Sequence, residues 1–364
     1  MEELIQIGKR KNLNKNGITR RDFLKGGAGA SLLALTGCAD PARQHIYPDV
    51  KGNIAKIPGK ALWYRSTCQE CQAGCGVTVR TREGRAVKIE GNPEHSLSKG
   101  GLCALGQSAL QALYDPDRVR KPLKKEGGKF KEISWEEALK VLREALNDSG
   151  EKYFISGRVQ GSSQELVKEW SSKFNINHLV YDPTEDTVSA KASEIVFGNY
   201  SVPYYRIDKA DFLLNFGADF LETWISPVMF ARQWAKARRQ KKPIKVFHLE
   251  SRLSLTAANA DKWIKITPEG HYLVALFIIK RLLALRPKNN LSASLNSYLK
   301  EITKDITSAE VEERSGVSRA NLTLIVDHLL EAHSPLVLAG GSAVRFNSGL
   351  ALSTAALLIN VLLG

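Results

Sequence analysis

The stretch Cys68-Gln69-Glu70-Cys71-Gln72-Ala73-Gly74-Cys75, closed much later by Gly100-Gly101-Leu102-Cys103, decides how this chain is read. Four of its five cysteines fall there, spaced C-x2-C-x3-C-x27-C. Three thiols within eight residues are too crowded to pair readily as disulfides. Gly74 and Gly76 allow a tight loop in which neighbouring sulfurs turn toward one centre. A distant fourth cysteine completes a four-thiolate set, the usual ligand complement of a [4Fe-4S] cluster. Two alternatives stand beside this reading. Structural zinc takes pairs of short Cys knuckles or histidine partners, and one pair here has that form. Disulfides form outside the cytoplasm, although a C-x3-C loop is tight for one.

The chain has 364 residues, 43% hydrophobic and 25% charged, which suits two or more globular domains with real cores. Its formal net charge is +14. A basic surface can meet nucleic acid, anionic lipid or acidic partner subunits. No run of Lys and Arg is interleaved with aromatics, which argues against nucleic acid; the charge reads as a scattered, solvated surface.

The N-terminus reads as an address. Thr19-Arg20-Arg21-Asp22-Phe23-Leu24-Lys25 precedes a weakly apolar run from Gly26 to Gly37. This is the order of an export signal, and the paired arginines resemble a twin-arginine signal. The apolar run is shorter than the about 20 residues that span a bilayer. Gly26, Gly27 and Gly29 argue against a stable amphipathic helix, the plainer alternative. Leu35-Thr36-Gly37-Cys38 resembles a lipobox, with cleavage before Cys38 and lipid on its sulfur. Residues 1–38 are therefore expected to be a twin-arginine lipoprotein signal. Residues 39–60, with Pro41, Pro48, Gly52, Pro58 and Gly59, are expected to be a tether.

Residues 61–122 read as the iron–sulfur domain. Val77 and Val79 alternate with polar residues, 82–85 form a turn, and 86–89 return as a hairpin. Gly91-Asn92-Pro93 ends it, and a short helix covers 104–114. Residues 123–364 read as α/β. Ser134-Trp135-Glu136-Glu137 is a capping box, followed by apolar positions Trp135, Ala138, Leu142, Ala145 and Leu146 at helical spacing. Strands are expected at 153–155, 210–217, 244–249 and 336–339. Helices are expected at 228–239, 272–285 and 321–332; Lys280 and Arg281 make the second of these a core helix and not a membrane span. Alternating strands and helices imply a parallel sheet. Its ligand loops would follow the strands' carboxyl ends: 217–223, 249–252 and 267–271.

The cysteine pattern, Gly91-Asn92-Pro93-Glu94-His95 and Tyr114-Asp115-Pro116-Asp117-Arg118 together resemble the N-terminal domain of molybdopterin oxidoreductases. Within that superfamily the chain is similar to the exported large subunits of quinone-linked complexes, of the alternative complex III and menaquinone reductase types. The resemblance covers about residues 60–364. It implies a small iron–sulfur domain with β-hairpins followed by parallel-sheet α/β domains. It implies a [4Fe-4S] cluster on Cys68, Cys71, Cys75 and Cys103. It implies a molybdopterin guanine dinucleotide gripped by loops containing Gly217, Glu222, Ser251, Arg252 and Gly270; from residue chemistry alone these can equally be ordinary βα loops. Family members run on considerably further than Gly364, so a split subunit or an N-terminal portion is expected.

Two departures speak against a molybdenum centre. Active members carry a Cys, selenocysteine, Ser or Asp ligand before a Phe-Gly like Phe197-Gly198. Here no Cys is present, and Asp186 and Ser189 are the candidates. Many active members also carry Lys two residues after the fourth cysteine, where this chain has Leu105. His95 and His271 sit in motif-like loops and read as structural.

The expectation is an exported, lipid-anchored electron-transfer subunit on the outer face of the cytoplasmic membrane or in the periplasm. Its expected partners are a membrane-integral, quinone-reacting subunit and other iron–sulfur or haem subunits. The alternatives are a catalytic molybdopterin oxidoreductase acting on a small oxoanion or sulfur compound, and a non-redox zinc-binding scaffold.

Overall fold

The computed structural model describes residues 58–159, 161–181, 186–286 and 289–364. The expectations for Arg20, Arg21, Cys38 and nearly all of the tether lie outside them. The first element group is a three-stranded antiparallel sheet in the order β1-β2-β3: β1 Ala61–Thr67, β2 Gly76–Arg82 and β3 Arg85–Gly91. The β2–β3 hairpin matches the alternation of Val77 and Val79, and Glu83 and Gly84 turn it with positive φ. Helix α1, Ala104–Leu113, packs against β3.

Next comes a hairpin, β4 Leu123–Glu126 and β5 Lys129–Glu132, turned at Gly127 and Gly128, both with positive φ. Helix α2, Trp135–Asn147, begins where the capping box places it, with Ser134 Oγ accepting from the Glu137 amide at 3.1 Å. Its apolar stripe is not covered: no residue of α2 is buried, and Trp135 is 69% exposed. Strand β6 (Lys152–Ser156), helix α3 (Ser162–Phe174) and β7 (Ile176–Val180) form a βαβ unit with a two-stranded parallel sheet. One face is sealed by Phe154, Trp170, Phe174 and His178. Ile155 and Leu179 stand exposed.

The main body follows helix α4, Thr187–Phe197. Strand β8 (Phe212–Phe216), helix α5 (Pro227–Arg238), β9 (Lys245–Leu249), the one-turn α6 (Leu255–Ala258) and β10 (Lys262–Ile264) come first. Then come α7 (Gly270–Leu285), α8 (Ala293–Thr303), α9 (Ser308–Ser315), α10 (Arg319–Glu331), β11 (Pro335–Ala339) and α11 (Gly349–Leu363). The four strands are parallel, in the order β10-β9-β8-β11. All five residues of β8 are buried, as a parallel strand covered on both faces requires. Phe212, Leu214 and Phe216 join a core with α7, α10 and α11. Leu213 joins the opposite core with Met229 and Phe230 of α5 and Trp224. Helix α7 lies in the first core, through Val274, Ile278, Ile279 and Leu282. Among the described residues no helix is long and apolar enough to cross a membrane.

An ion-pair network pins the approach to β8. Asp208, with only 8% of its side chain exposed, is held by Arg206 at 2.9 Å and Lys236 at 3.0 Å. The Arg206 guanidinium, against the opposing effect of burial, brings its carboxyl from 3.8 down to about 2. A depressed carboxylate stabilises the fold above its unfolded pKa and loses that contribution as pH falls through its folded pKa. Asp208→Asn is therefore expected to cost about 2 kcal/mol at neutral pH. The deficit relative to wild type should shrink as the pH falls from about 4 toward about 2, followed by denaturant midpoints at each pH.

Candidate metal centre and cofactor crevice

The β1–β2 hairpin builds the cysteine loop. The two strands pair in register as far as Thr67 and Gly76. The Cys68 amide then donates to the Cys75 carbonyl at 2.8 Å and closes the neck of the loop. Inside it the Gly74 amide reaches the Cys71 carbonyl, and Gly74 has φ +54°. A side chain on Gly76 would collide with His95, which lies against it. His95 Nδ1 accepts from the Ser98 amide at 3.1 Å, so His95 holds the returning loop, the structural role expected of it. That loop is drawn in further by the Asn92 amide, bonded to the Gly76 carbonyl, and by Gly91, whose Cα lies against the Gly100 carbonyl.

The loop delivers Cys103 to the N-cap of α1, where its side chain makes no cap hydrogen bond. The thiol is therefore free to ligate. A Cβ on Gly106 would stand 3.4 Å from Cys68 Sγ, so that sulfur reaches the first turn of the same helix. Unpaired amides and the helix dipole there favour negative charge on sulfur. All four cysteines are free thiols. Burial, and then the charges of Cys71, Cys68 and Cys103, push the Cys75 thiol up to about 11. Burial also raises Cys68, which senses Cys71 and Cys103. The four sulfurs thus share one neighbourhood.

Among the described residues no three His, Cys, Asp or Glu groups converge on a single ion. A tetrahedral zinc needs its ligands about 2.3 Å from one point. A cubane cluster takes one thiolate on each of its irons, so its ligands stand apart around a larger body. Four free thiols are the ligand complement of such a cluster, and the residues present fit it in number and kind.

A cavity of about 300 Å³ adjoins this loop, lined by Gln72, Asp186, Asp219, Thr223, Trp224 and Arg345, among others. It lies at the carboxyl ends of β8 and β11. Of the two candidate molybdenum ligands, Asp186 lines the cavity, but both its oxygens are engaged. Oδ1 accepts from the Ser189 amide as the N-cap of α4, and Oδ2 accepts from the Trp224 indole at 2.7 Å. Ser189 is fully buried and does not line the cavity. The Tyr205 phenol nearby is raised well above its ordinary range by burial and by the Asp186 charge. These residues do not fit a molybdenum centre.

The loops named for a pterin dinucleotide are brought only partly together. Arg252 Nε lies 3.1 Å from Glu250, and its Nη2 lies 3.5 Å from Asp219 and 3.7 Å from Glu222. Gly217, directly after β8 with φ +67°, packs against Ala343. Ser251 is exposed beside this cluster. Gly270 lies elsewhere, packed against Ser315. Beneath the cluster Glu250 is paired with His248 at 3.0 Å, both fully buried. His271 bridges the Pro268 and Leu249 carbonyls, and burial lowers its pKa. Of the residues that line or seal the cavity, Asp219 lies within the expected ligand loop 217–223, whereas Gln72, Trp224 and Gly340 lie outside the expected ligand loops. Trp224, just beyond a predicted ligand loop, was the one available signal.

Known families match almost the whole described chain. A molybdopterin oxidoreductase Fe4S4 domain matches residues 62–115, and a molybdopterin oxidoreductase domain matches 118–364. The chain belongs to the molybdopterin oxidoreductase family. It is 31% identical, over 95% of its length, to the menaquinone reductase, molybdopterin-binding-like subunit of Nitratidesulfovibrio vulgaris. It is 29% identical, over 74% of its length, to the arsenate respiratory reductase molybdopterin-containing subunit of Shewanella sp.. It spans 51% of the first relative and 33% of the second. Acetylene hydratase from Pelobacter acetylenicus shares the fold, with a TM-score of 0.67 and 18% identity, covering 82% of this chain and 43% of that one. The chain therefore has the mixed α/β fold and the Fe4S4 domain expected from its sequence. Its family is built around an iron–sulfur cluster and a molybdopterin.

Proposed function

We propose that the chain is the iron–sulfur electron-transfer subunit of a quinone-linked complex, exported by the twin-arginine route and lipid-anchored at the outer face of the membrane. The observation that carries this reading is four free thiols on the β1–β2 loop and at the N-cap of α1, with the Cys68 sulfur against that helix's first turn. A [4Fe-4S] cluster bound there supplies one-electron transfer. Cys68, Cys71, Cys75 and Cys103 would hold it, Cys75 from the buried side and the other three nearer solvent. The loop's backbone amides and the first turn of α1 would stabilise its charge. Leu105, 51% exposed beside Cys103, leaves an apolar surface at the cluster's edge. The relative named as a menaquinone reductase subunit supports the quinone link; the partners in this reading are a membrane-integral, quinone-reacting subunit and other iron–sulfur or haem subunits.

The relatives named as arsenate and thiosulfate reductase subunits keep a catalytic alternative in view. The engagement of Asp186 and the burial of Ser189 weigh against it. Native membranes containing the chain provide the test. A reduced menaquinone analogue should produce the paramagnetic signal that dithionite produces. A signal that appears with dithionite and never with the quinol would contradict the quinone link.

A further inference from the structure

An open parallel sheet offers its ligand crevice where successive connections leave in opposite directions. In the order β10-β9-β8-β11 that point lies between β8 and β11. Here the crevice is occupied by the chain itself. Gly340 follows β11 so closely against Trp224 that a Cβ would stand 2.2 Å from the indole nitrogen. Gly341, with φ +56°, has no room for a Cβ against the Gly217 carbonyl, and Gly217 has none against Ala343. The two loops are therefore in backbone contact, with the indole edge seated on them.

Trp224 is 5% exposed. Its ring stacks on Phe230 at 5.3 Å and packs against Tyr205 at 5.4 Å. Its N–H is fastened by Asp186, which is itself fixed as a helix cap. The remaining 300 Å³ is at the small end of ligand cavities. Asp186, Asp219 and Arg345 are on its wall, and the nearby Arg252 already faces three carboxylates. A diphosphate-bearing cofactor would meet two carboxylates against one cation there.

We propose that Trp224, fastened by Asp186 and seated on Gly340, is an internal plug that takes the place of the pterin cofactor at the head of this crevice. The inference rests on reading the crevice as the family's cofactor position. Trp224 then keeps the carboxyl end of the sheet sealed between β8 and β11, and the protein carries the fold without the metal-bearing group.

The test uses protein made in molybdate- and tungstate-replete cells and in cells starved of both. Pterin is measured as its fluorescent oxidation product, and the Trp224 signal as the wild-type minus Trp224→Phe difference in near-ultraviolet circular dichroism and fluorescence. Expected are no pterin, no molybdenum or tungsten, and an identical Trp224 signal in both preparations. Asp186→Asn should shift the Trp224 signal while the iron content stays unchanged. Stoichiometric pterin in the wild type, with a Trp224 signal that differs between the preparations, would overturn the plug. Iron content judges the cluster separately, so failure of one reading does not carry the other with it.

Discussion

Changing any one of Cys68, Cys71, Cys75 or Cys103 to serine should abolish the four-iron cluster or convert it to a smaller one. Each thiolate binds a different iron, so no neighbour can replace a lost ligand. Cys75→Ser should be the most damaging. That position is 6% exposed, and an unligated hydroxyl left there would be buried without a partner, at a cost of about 1–3 kcal/mol. The loss of the metal adds to this, because binding energy at such a site is also folding energy. The β1–β2–β3 sheet should then become susceptible to proteolysis while the β8–β11 sheet, with its own two cores, stays folded. Iron and acid-labile sulfide per chain, with limited proteolysis, give the readout. Full iron in all four variants would remove the cysteines from the site.

Replacing Arg20 and Arg21 together by lysine should strand the precursor in the cytoplasm, with its cluster already inserted. Export of folded protein suits a cofactor assembled before transport. Fractionation followed by immunoblotting reads the outcome, and mature protein outside the cytoplasm at wild-type levels would contradict the twin-arginine reading. Cys38→Ala should separately release soluble protein or block maturation. A lipid chain contributes about 0.8 kcal/mol per buried CH₂, so its loss removes the anchor.

The elements legible in the sequence were those whose local pattern agrees with their burial. The strand expected over 210–217 forms as Phe212–Phe216, buried throughout; the strand read over 153–155 as a buried one forms too, but Tyr153 and Ile155 are exposed. Ser134 and Glu137 start α2 as written, yet the stripe from Trp135 to Leu146 does not find a core. Periodicity shows that a face is apolar; it does not say what covers it. Strand β1 was not foreseen, because five of its seven residues are exposed and it is held by pairing with β2. The Gly127-Gly128 turn of β4–β5 was a readable hairpin signal, set among lysines and glutamates that pair across the strands.

At the site, the cysteines were legible because ligand chemistry fixes residue type and spacing. The Trp224–Asp186 bond was not, since it joins residues 38 apart in sequence by a contact that only the tertiary fold, with α4 packed on α11, creates. Gly340, directly after the strand expected at 336–339, occupies an ordinary turn position in sequence. Its small size matters instead because the indole lies where a Cβ would be.

The most direct test of the iron–sulfur reading is the metal and sulfide content of the chain purified without oxygen from molybdate-replete cells. Expected are about four irons and four sulfides per chain, visible absorption that bleaches on reduction with a matching paramagnetic signal, and no molybdenum or tungsten. One zinc per chain without iron, or stoichiometric molybdenum lost in Asp186→Ala or Ser189→Ala, would contradict it.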